Sequence, residues 1–161
     1  MRRVIRPALV VALLAAAAIV SLRAWRAQSD PAEKGFFYDL SAQRIFIGPR
    51  DAAPPIRGVD GPVEDGFRAL VISRTGRPED RRSWEVAYLE TFTPELKRRT
   101  GQAQAAGEAL SMGRLEAQTH RLVRRLSDTD WHPIASPKGE IIVQEWAKPG
   151  PDGRTPVVCT P

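Results

Sequence analysis

The chain has 161 residues, with 24 lysines and arginines against 19 aspartates and glutamates, which gives a formal net charge of +5. The five arginines of residues 1–26, a segment without acidic residues, account for this whole excess. The remainder is formally neutral, so the basic composition does not indicate nucleic-acid binding. A single cysteine, Cys159, excludes a disulfide within the chain and a zinc site built from several thiolates.

The N-terminal segment predicts a membrane anchor. Residues 7–22, PALVVALLAAAAIVSL, carry no charge, and as a helix they would span roughly 24 Å. The flanking Arg6 and Arg23, together with Trp25 at the interface, extend this segment towards the roughly 30 Å of a bilayer core. We therefore expect residues 4–25 to contact the membrane.

A cleaved signal peptide is the alternative interpretation of the same segment. Cleavage requires small residues at the third and first positions before the cut. Ala24 and Ala27 lack such a partner, because Leu22 and Trp25 occupy the matching positions. The pattern favours an uncleaved signal anchor over residues 1–26.

The charges that flank the apolar segment predict its orientation. Three arginines precede it, whereas Asp30 and Glu33 follow soon after its second flank. The positive-inside rule places the N-terminus in the cytoplasm, so the anchor lies in the inner (cytoplasmic) membrane and the rest of the chain in the periplasm. Residues 27–35, AQSDPAEKG, have the polar composition of a linker.

The first half of the predicted domain has the pattern of strands. Residues 36–39 and 44–47 predict a hairpin, and residues 67–73 alternate as a third strand. Between them, residues 48–66 contain four prolines and four glycines, too many for a regular element. Such a loop is either functional, disordered or a proline-stiffened surface wrap.

The second half mixes helices with ambiguous segments. Thr93-Pro94-Glu95 and Ser136-Pro137 are helix starts, with a capping hydroxyl before a proline. Residues 84–89 fit either a strand or a short helix, and residues 119–126 fit either, with a strand favoured. The segment 148–161 holds four prolines and predicts an irregular tail.

Together these elements predict an α+β fold. We expect an N-terminal transmembrane helix and one small domain, residues 36–147, with short antiparallel strands, one Ala-rich helix and a short C-terminal helix, followed by the tail. Ten aromatic residues are expected to form the core, because large aliphatics are few: Phe36, Phe37, Tyr38, Phe46, Phe67, Trp84, Tyr88, Phe92, Trp131 and Trp146. The pairs Arg81-Arg82, Arg98-Arg99 and Arg124-Arg125 are expected to be solvated or paired with acids.

No catalytic, cofactor or metal site emerges from the sequence. His120 and His132 have no ligand spacing with a second donor, so we expect surface or structural roles for both. The chain contains no nucleophile elbow, Gly-rich phosphate loop or calcium loop. Cys159, in a proline-rich tail, predicts an intermolecular disulfide with a second copy of the chain.

Several short blocks resemble a set of uncharacterised, membrane-anchored proteins of planctomycete-type bacteria. The blocks are residues 37–40 (FYDL), 44–47 (RIFI), 88–90 (YLE), 92–95 (FTPE), 122–125 (LVRR), Trp131, Ser136-Pro137 and the closing CTP. Members often carry one or two further cysteines, one of them near the final turn, where this chain has residues 148–150 (KPG). The resemblance implies one folded unit over residues 36–161 and no assigned activity.

The sequence therefore predicts a membrane-anchored extracytoplasmic binding or structural module, not an enzyme. The expected partner, besides the membrane, is another envelope protein or a second copy; no small-molecule substrate is identifiable. One alternative is a pseudopilin-like component of an envelope assembly or secretion system, although Lys34-Gly35-Phe36 follows the apolar segment instead of preceding it. Another is a secreted protein. A cleft of convergent polar groups would instead indicate an enzyme.

Overall fold

The structure, a computed structural model, describes residues 34–161. Lys34–Pro161 forms one compact unit. The predicted anchor, residues 1–26, lies outside the described residues, and of the predicted linker only Lys34 and Gly35 fall within them, as the start of a strand. Within residues 34–161, no helix combines the length and the hydropathy that a membrane span requires.

The unit has an α+β fold with an antiparallel sheet and three α-helices. The strands are β1 (Lys34–Asp39), β2 (Arg44–Pro49), β3 (Gly66–Ser73), β4 (Trp84–Phe92), β5 (Arg121–Arg124), β6 (His132–Pro133) and β7 (Val157–Val158). The helices are α1 (Pro94–Ala106), α2 (Arg114–His120) and α3 (Pro137–Glu145). A 3-10 turn, Arg81–Ser83, precedes β4.

The sheet has the strand order β2-β1-β3-β4-β5-β6, and β7 also pairs with β3. Strand β3 is central, with β4 along one side. On its other side it pairs with β1 up to Arg68 and with β7 from Ile72 onwards. Residues 69–71 therefore separate the β1 pairing from the β7 pairing along that side of β3.

The core has two parts, one on each face of the sheet. On one face, Phe36, Val71 and Leu89 form a buried cluster with Ala69 and Cys159. The opposite face buries residues from strands and from α3, which contacts β5 and β6. Its fully buried side chains include Phe37, Ile72, Val123 and Ile142. Of the ten aromatic residues predicted as core, Phe36 and Phe37 are buried and the others partly buried.

The loop between β2 and β3 is a packed surface wrap, one of the alternatives that its composition allowed. Pro54 is buried, and its carbonyl accepts a hydrogen bond from the Phe92 amide at 3.1 Å. Ile56 and Gly66 exchange two backbone hydrogen bonds, of 2.8 and 2.9 Å. These contacts fix the loop at the ends of β3 and β4.

The two helices with predicted caps begin as predicted. The Thr93 hydroxyl accepts a hydrogen bond from the Leu96 amide at 3.3 Å, and that of Ser136 accepts one from the Gly139 amide at 3.1 Å. Gly107 caps the C-terminal end of α1, and its φ of 66° is left-handed and favours glycine.

The ambiguous segments resolve in two ways. Residues 84–89 belong to β4, so the strand alternative is confirmed. In residues 119–126 the preference for a strand is only partly right, since α2 extends to His120 and β5 begins at Arg121.

The prediction of an irregular C-terminal tail is wrong at residues 157–159. Val157 and Val158 pair with Ser73 and Ile72 as β7. The Cys159 amide then donates a hydrogen bond to the Val71 carbonyl at 2.9 Å. β1 pairs with β3 only up to Arg68, which leaves the backbone of Ile72 and Ser73 open on that side of β3. Because β7 pairs with these two residues, the segment belongs to the sheet.

Candidate functional site

A cavity of about 360 Å³ opens where β3 lies between its two partner strands. Arg68 pairs with Glu90 across β3 and β4, and Leu70 with Tyr88. Arg121 of β5 pairs with Phe92, two residues beyond Glu90. Residues in register, or two apart along a strand, share one face of a sheet. Charged and aromatic side chains from three strands therefore line the cavity from the same face.

Three of these residues form a partly buried ion cluster. The Glu90 side chain is only 7% exposed. Arg121 donates from Nε and Nη2 to the two Glu90 oxygens, both at 2.9 Å. Arg68 Nη1 lies 3.8 Å from Glu90 Oε1, beyond hydrogen-bond distance. Two guanidinium groups thus share one carboxylate.

Arg68 also connects the cluster to the loop after β2. Its Nη2 donates to the carbonyls of Arg50 and Ala52, both at 2.9 Å. The guanidinium stacks over Phe92, 5.7 Å from the ring centroid. Its Nε is buried without a hydrogen-bond partner among the described residues. The Nε–H group of Arg68 is therefore an unsatisfied donor, and leaving a buried donor unsatisfied costs free energy of folding.

The electrostatics of the cavity favour an anion. Among the described lining residues, the cationic side chains are Lys34, Arg50, Arg68 and Arg121, whereas Glu90 is the anionic one. Burial lowers the pKa of the Arg68 guanidinium, an effect that Glu90 opposes and Arg121 reinforces. The hydrogen bonds to Glu90 raise the pKa of Arg121. Partly desolvated positive charge of this kind is stabilised by a counter-anion.

Two further groups of the cavity keep their protons at neutral pH. Burial, and then the charge of Glu90, raises the pKa of the Tyr88 phenol. Burial, and then Glu79, raises the pKa of the Cys159 thiol. A protonated phenol donates hydrogen bonds, and a protonated thiol is a poor nucleophile. Neither group is therefore an activated nucleophile, and the Tyr88 phenol is available as a hydrogen-bond donor.

The histidines considered from the sequence lie away from this cavity. His120 Nδ1 is hydrogen-bonded to the Thr93 hydroxyl at 2.9 Å, and its Nε2 lies 4.0 Å from Glu95. His132 lies on β6, with Nε2 buried and unpartnered among residues 34–161. Across the same residues, no group of three or more His, Cys, Asp and Glu side chains is arranged to hold a metal ion.

Cys159 lies in the core, contrary to the loose tail that the sequence suggested. This residue is 4% exposed and packs with Phe36, Val71 and Leu89. A disulfide to a second copy would therefore require β7 to separate from β3. The intermolecular disulfide itself stays a prediction.

The cavity residues were not identified from the sequence. The charged residues that stand out in the sequence are instead the arginine pairs. Of these, Arg125 binds Glu145 through Nε and Nη2, and Arg124 stacks on Trp131 at 4.9 Å. The available signal was subtler: Arg68 and Glu90 are charged residues inside apolar strands. Only the strand register brings them together.

Comparison with known proteins gives no match, whether against family models, curated proteins or solved structures. The resemblance to membrane-anchored proteins of planctomycete-type bacteria therefore stays a prediction.

Proposed function

We propose that this chain is a membrane-held binding module that recognises a small anionic ligand in the cavity of residues 34–161. The observation that carries the proposal is a guanidinium cluster in a recess of about 360 Å³: Arg68 and Arg121 share the Glu90 carboxylate, and Arg68 Nε has no hydrogen-bond partner among residues 34–161. Ligand sites are concave, with a few convergent polar groups, and commonly measure about 300–1,000 Å³.

Binding is favoured over catalysis by the chemistry of the lining groups. A cleft of convergent polar groups is the feature that would indicate an enzyme, and this cavity has one. Its polar groups, however, include the Arg121 guanidinium, which is hydrogen-bonded to Glu90, together with a protonated phenol and a protonated thiol. General acid–base or nucleophilic chemistry requires a group activated near neutral pH.

The membrane location is the second part of the proposal and rests on residues 1–26. An uncleaved, N-in anchor would place the cavity on the periplasmic side of the inner membrane. A binding module at that position would meet ligands or partners of the envelope. The linker that precedes β1 would connect the two parts.

The test of the proposed function is stabilisation of the full chain, in nonionic detergent, by anions. Sodium phosphate, sulfate, acetate and benzoate are each compared with sodium chloride at equal ionic strength. A ligand that binds only the folded state raises the melting temperature. We expect at least one anion to do so, and to do so less in Arg121→Gln.

Arg74→Gln is the matched control for that variant. Arg74 also pairs with a glutamate, at 2.9 Å from Glu85, but it is exposed and lies outside the cavity. An identical response of all three proteins to every anion would contradict the proposal.

A further inference from the structure

We infer that the ligand is a small organic carboxylate with an apolar body, and that Glu90 competes with it for the arginines. This inference rests on the proposed function and specifies its ligand. Two features of the cavity carry it: the donor geometry around Glu90 and the apolar walls.

The donor geometry suits a planar carboxylate. Arg121 already holds the Glu90 carboxylate through two hydrogen bonds of 2.9 Å from Nε and Nη2. Such a fork matches the two oxygens of a carboxylate in one plane. The Glu90 carboxylate therefore serves as an internal example of the planar anion that this face of the sheet can bind.

Donors remain after Glu90 is bound. Among residues 34–161, Arg68 Nε has no partner. The hydrogen bonds of Arg121 to Glu90 use Nε and Nη2 and leave Nη1 for a ligand. The Tyr88 phenol, protonated at neutral pH, supplies a third donor at the cavity wall. A ligand carboxylate has lone pairs for all three.

The walls favour an apolar ligand body over inorganic phosphate. Leu70 and Val158 line the cavity beside the charged residues. Phosphate sites in proteins are commonly built from backbone amides at a helix N-terminus. The residues that line this cavity come instead from strands and from the segments next to β2 and β7.

Glu90 has a defined role in this arrangement. It compensates the positive charge of the two partly buried arginines when no ligand is present and occupies part of their donor capacity. Replacing its charge with a neutral amide should leave the arginines with more unmatched charge. Glu90→Gln is therefore expected to bind carboxylates more tightly, whereas disruption of a purely structural cluster would not raise affinity.

The experiment is isothermal titration calorimetry on the full chain in nonionic detergent, with benzoate, benzamide and inorganic phosphate as probes. Benzamide is a neutral analogue of benzoate with nearly the same shape, so their difference reports the charge. We expect benzoate to bind at least about tenfold more tightly than benzamide, since a hydrogen bond to a charged group is typically worth that much. Phosphate should bind more weakly than benzoate.

Two variants locate the site and two measure the role of charge. Tyr88→Phe removes one donor and should weaken benzoate several-fold, while Tyr38→Phe, a change to the other tyrosine outside the cavity, should leave affinity unchanged. Arg121→Gln should weaken benzoate about tenfold, and Glu90→Gln should strengthen it. Because Tyr88→Phe keeps the ring and all charges, it remains informative if a charge variant fails to fold.

The outcomes separate the inference from the proposed function. Binding of phosphate without benzoate would overturn the carboxylate assignment and leave an anion-binding module. Equal binding of benzoate to Tyr88→Phe, Arg121→Gln and wild type would overturn this cavity as its site. Absence of binding by every anion would overturn both proposals.

Discussion

Asp39 shows how a single buried residue holds two parts of the chain together. Its carboxylate, fully buried at the end of β1, accepts hydrogen bonds from the Ala42 amide at 2.8 Å and the Ser41 hydroxyl at 3.0 Å. A third comes from the Val59 amide in the following loop, at 2.6 Å. Buried carboxylates persist only when hydrogen-bonded in this way. Asp39 thus fixes the hairpin turn and the loop to each other.

The same contacts make stability depend on pH. The Ala42 amide, with those of Val59 and Ser41, lowers the pKa of Asp39 below its ordinary 3.8, against the opposing effect of burial. A lowered pKa contributes stability above the ordinary value, and this contribution is lost as pH falls through the folded-state pKa. We expect wild type to exceed Asp39→Asn in urea midpoint at pH 6, with a difference that shrinks as the pH falls below the ordinary value. A difference independent of pH would contradict this account.

Cys159 is a second residue whose environment decides its behaviour. A hydroxyl placed at this apolar, buried position would lack a hydrogen-bond partner, so Cys159→Ser should lower the free energy of unfolding by about 1–3 kcal/mol. Cys159→Ala should cost less, because it buries no polar atom. Urea unfolding measures both. Thiol reagents should react slowly with the native protein and rapidly in denaturant, since burial raises the pKa of this thiol.

At the scale of elements, α3 depends on one glycine. Gly139 is buried in its first turn, and a Cβ at this position would overlap the carbonyl oxygen of Pro133. That carbonyl cannot move freely, because it accepts hydrogen bonds from the Ser136 amide at 2.9 Å and the Ser136 hydroxyl at 2.7 Å. The helix packs against β5 and β6 at this close approach.

Gly139→Ala should therefore destabilise the protein by about 1–3 kcal/mol, the usual cost of overpacking. Gly101→Ala is the matched control, since Gly101 lies in α1 and, apart from its chain neighbours and the backbone of its own helix, no atom lies within 4 Å of the point that its added methyl group would occupy. It should stabilise by roughly 0.5–1 kcal/mol through helix propensity. Chemical unfolding of both variants gives the comparison, and effects of the same sign would be inconsistent with it.

Local chemistry explains which elements were predictable. Helices α1 and α3 are indicated by Thr93-Pro94 and Ser136-Pro137, whose caps form as expected. Helix α2 has no side-chain cap at Gly113, and its Leu115 is 80% exposed, so it carries no comparable pattern. Strand β7 is only two residues long, and its pairing with β3 is a long-range contact that no local pattern indicates.

The candidate site was not predictable for a related reason. Arg68, Glu90 and Arg121 are separated along the chain, and their meeting depends on how β3, β4 and β5 align. That alignment includes a register shift between Leu70 and Val71, which local sequence does not specify. The charges were visible in the sequence, but their common face was not.

For the whole molecule, the proposed N-terminal anchor would set where the cavity operates. We expect the full chain to fractionate with membranes and to resist alkaline carbonate extraction, because an uncleaved helix over residues 7–22 would span the bilayer. Immunoblotting of membrane and soluble fractions measures this. Recovery of a soluble mature form that starts between Ser21 and Ala27 would instead favour a secreted protein.

The central claim is that the arginines of the cavity bind an anion, and nuclear magnetic resonance observes those groups directly. In the full chain labelled with ¹⁵N-arginine, the Nε–H signals of Arg68, Arg121 and Arg74 are assigned from single Arg→Lys variants. Benzoate should shift the signals of Arg68 and Arg121 in a saturable way, while that of Arg74 stays in place. Signals of Arg68 and Arg121 that do not move, or that move no more than that of Arg74, would contradict the account.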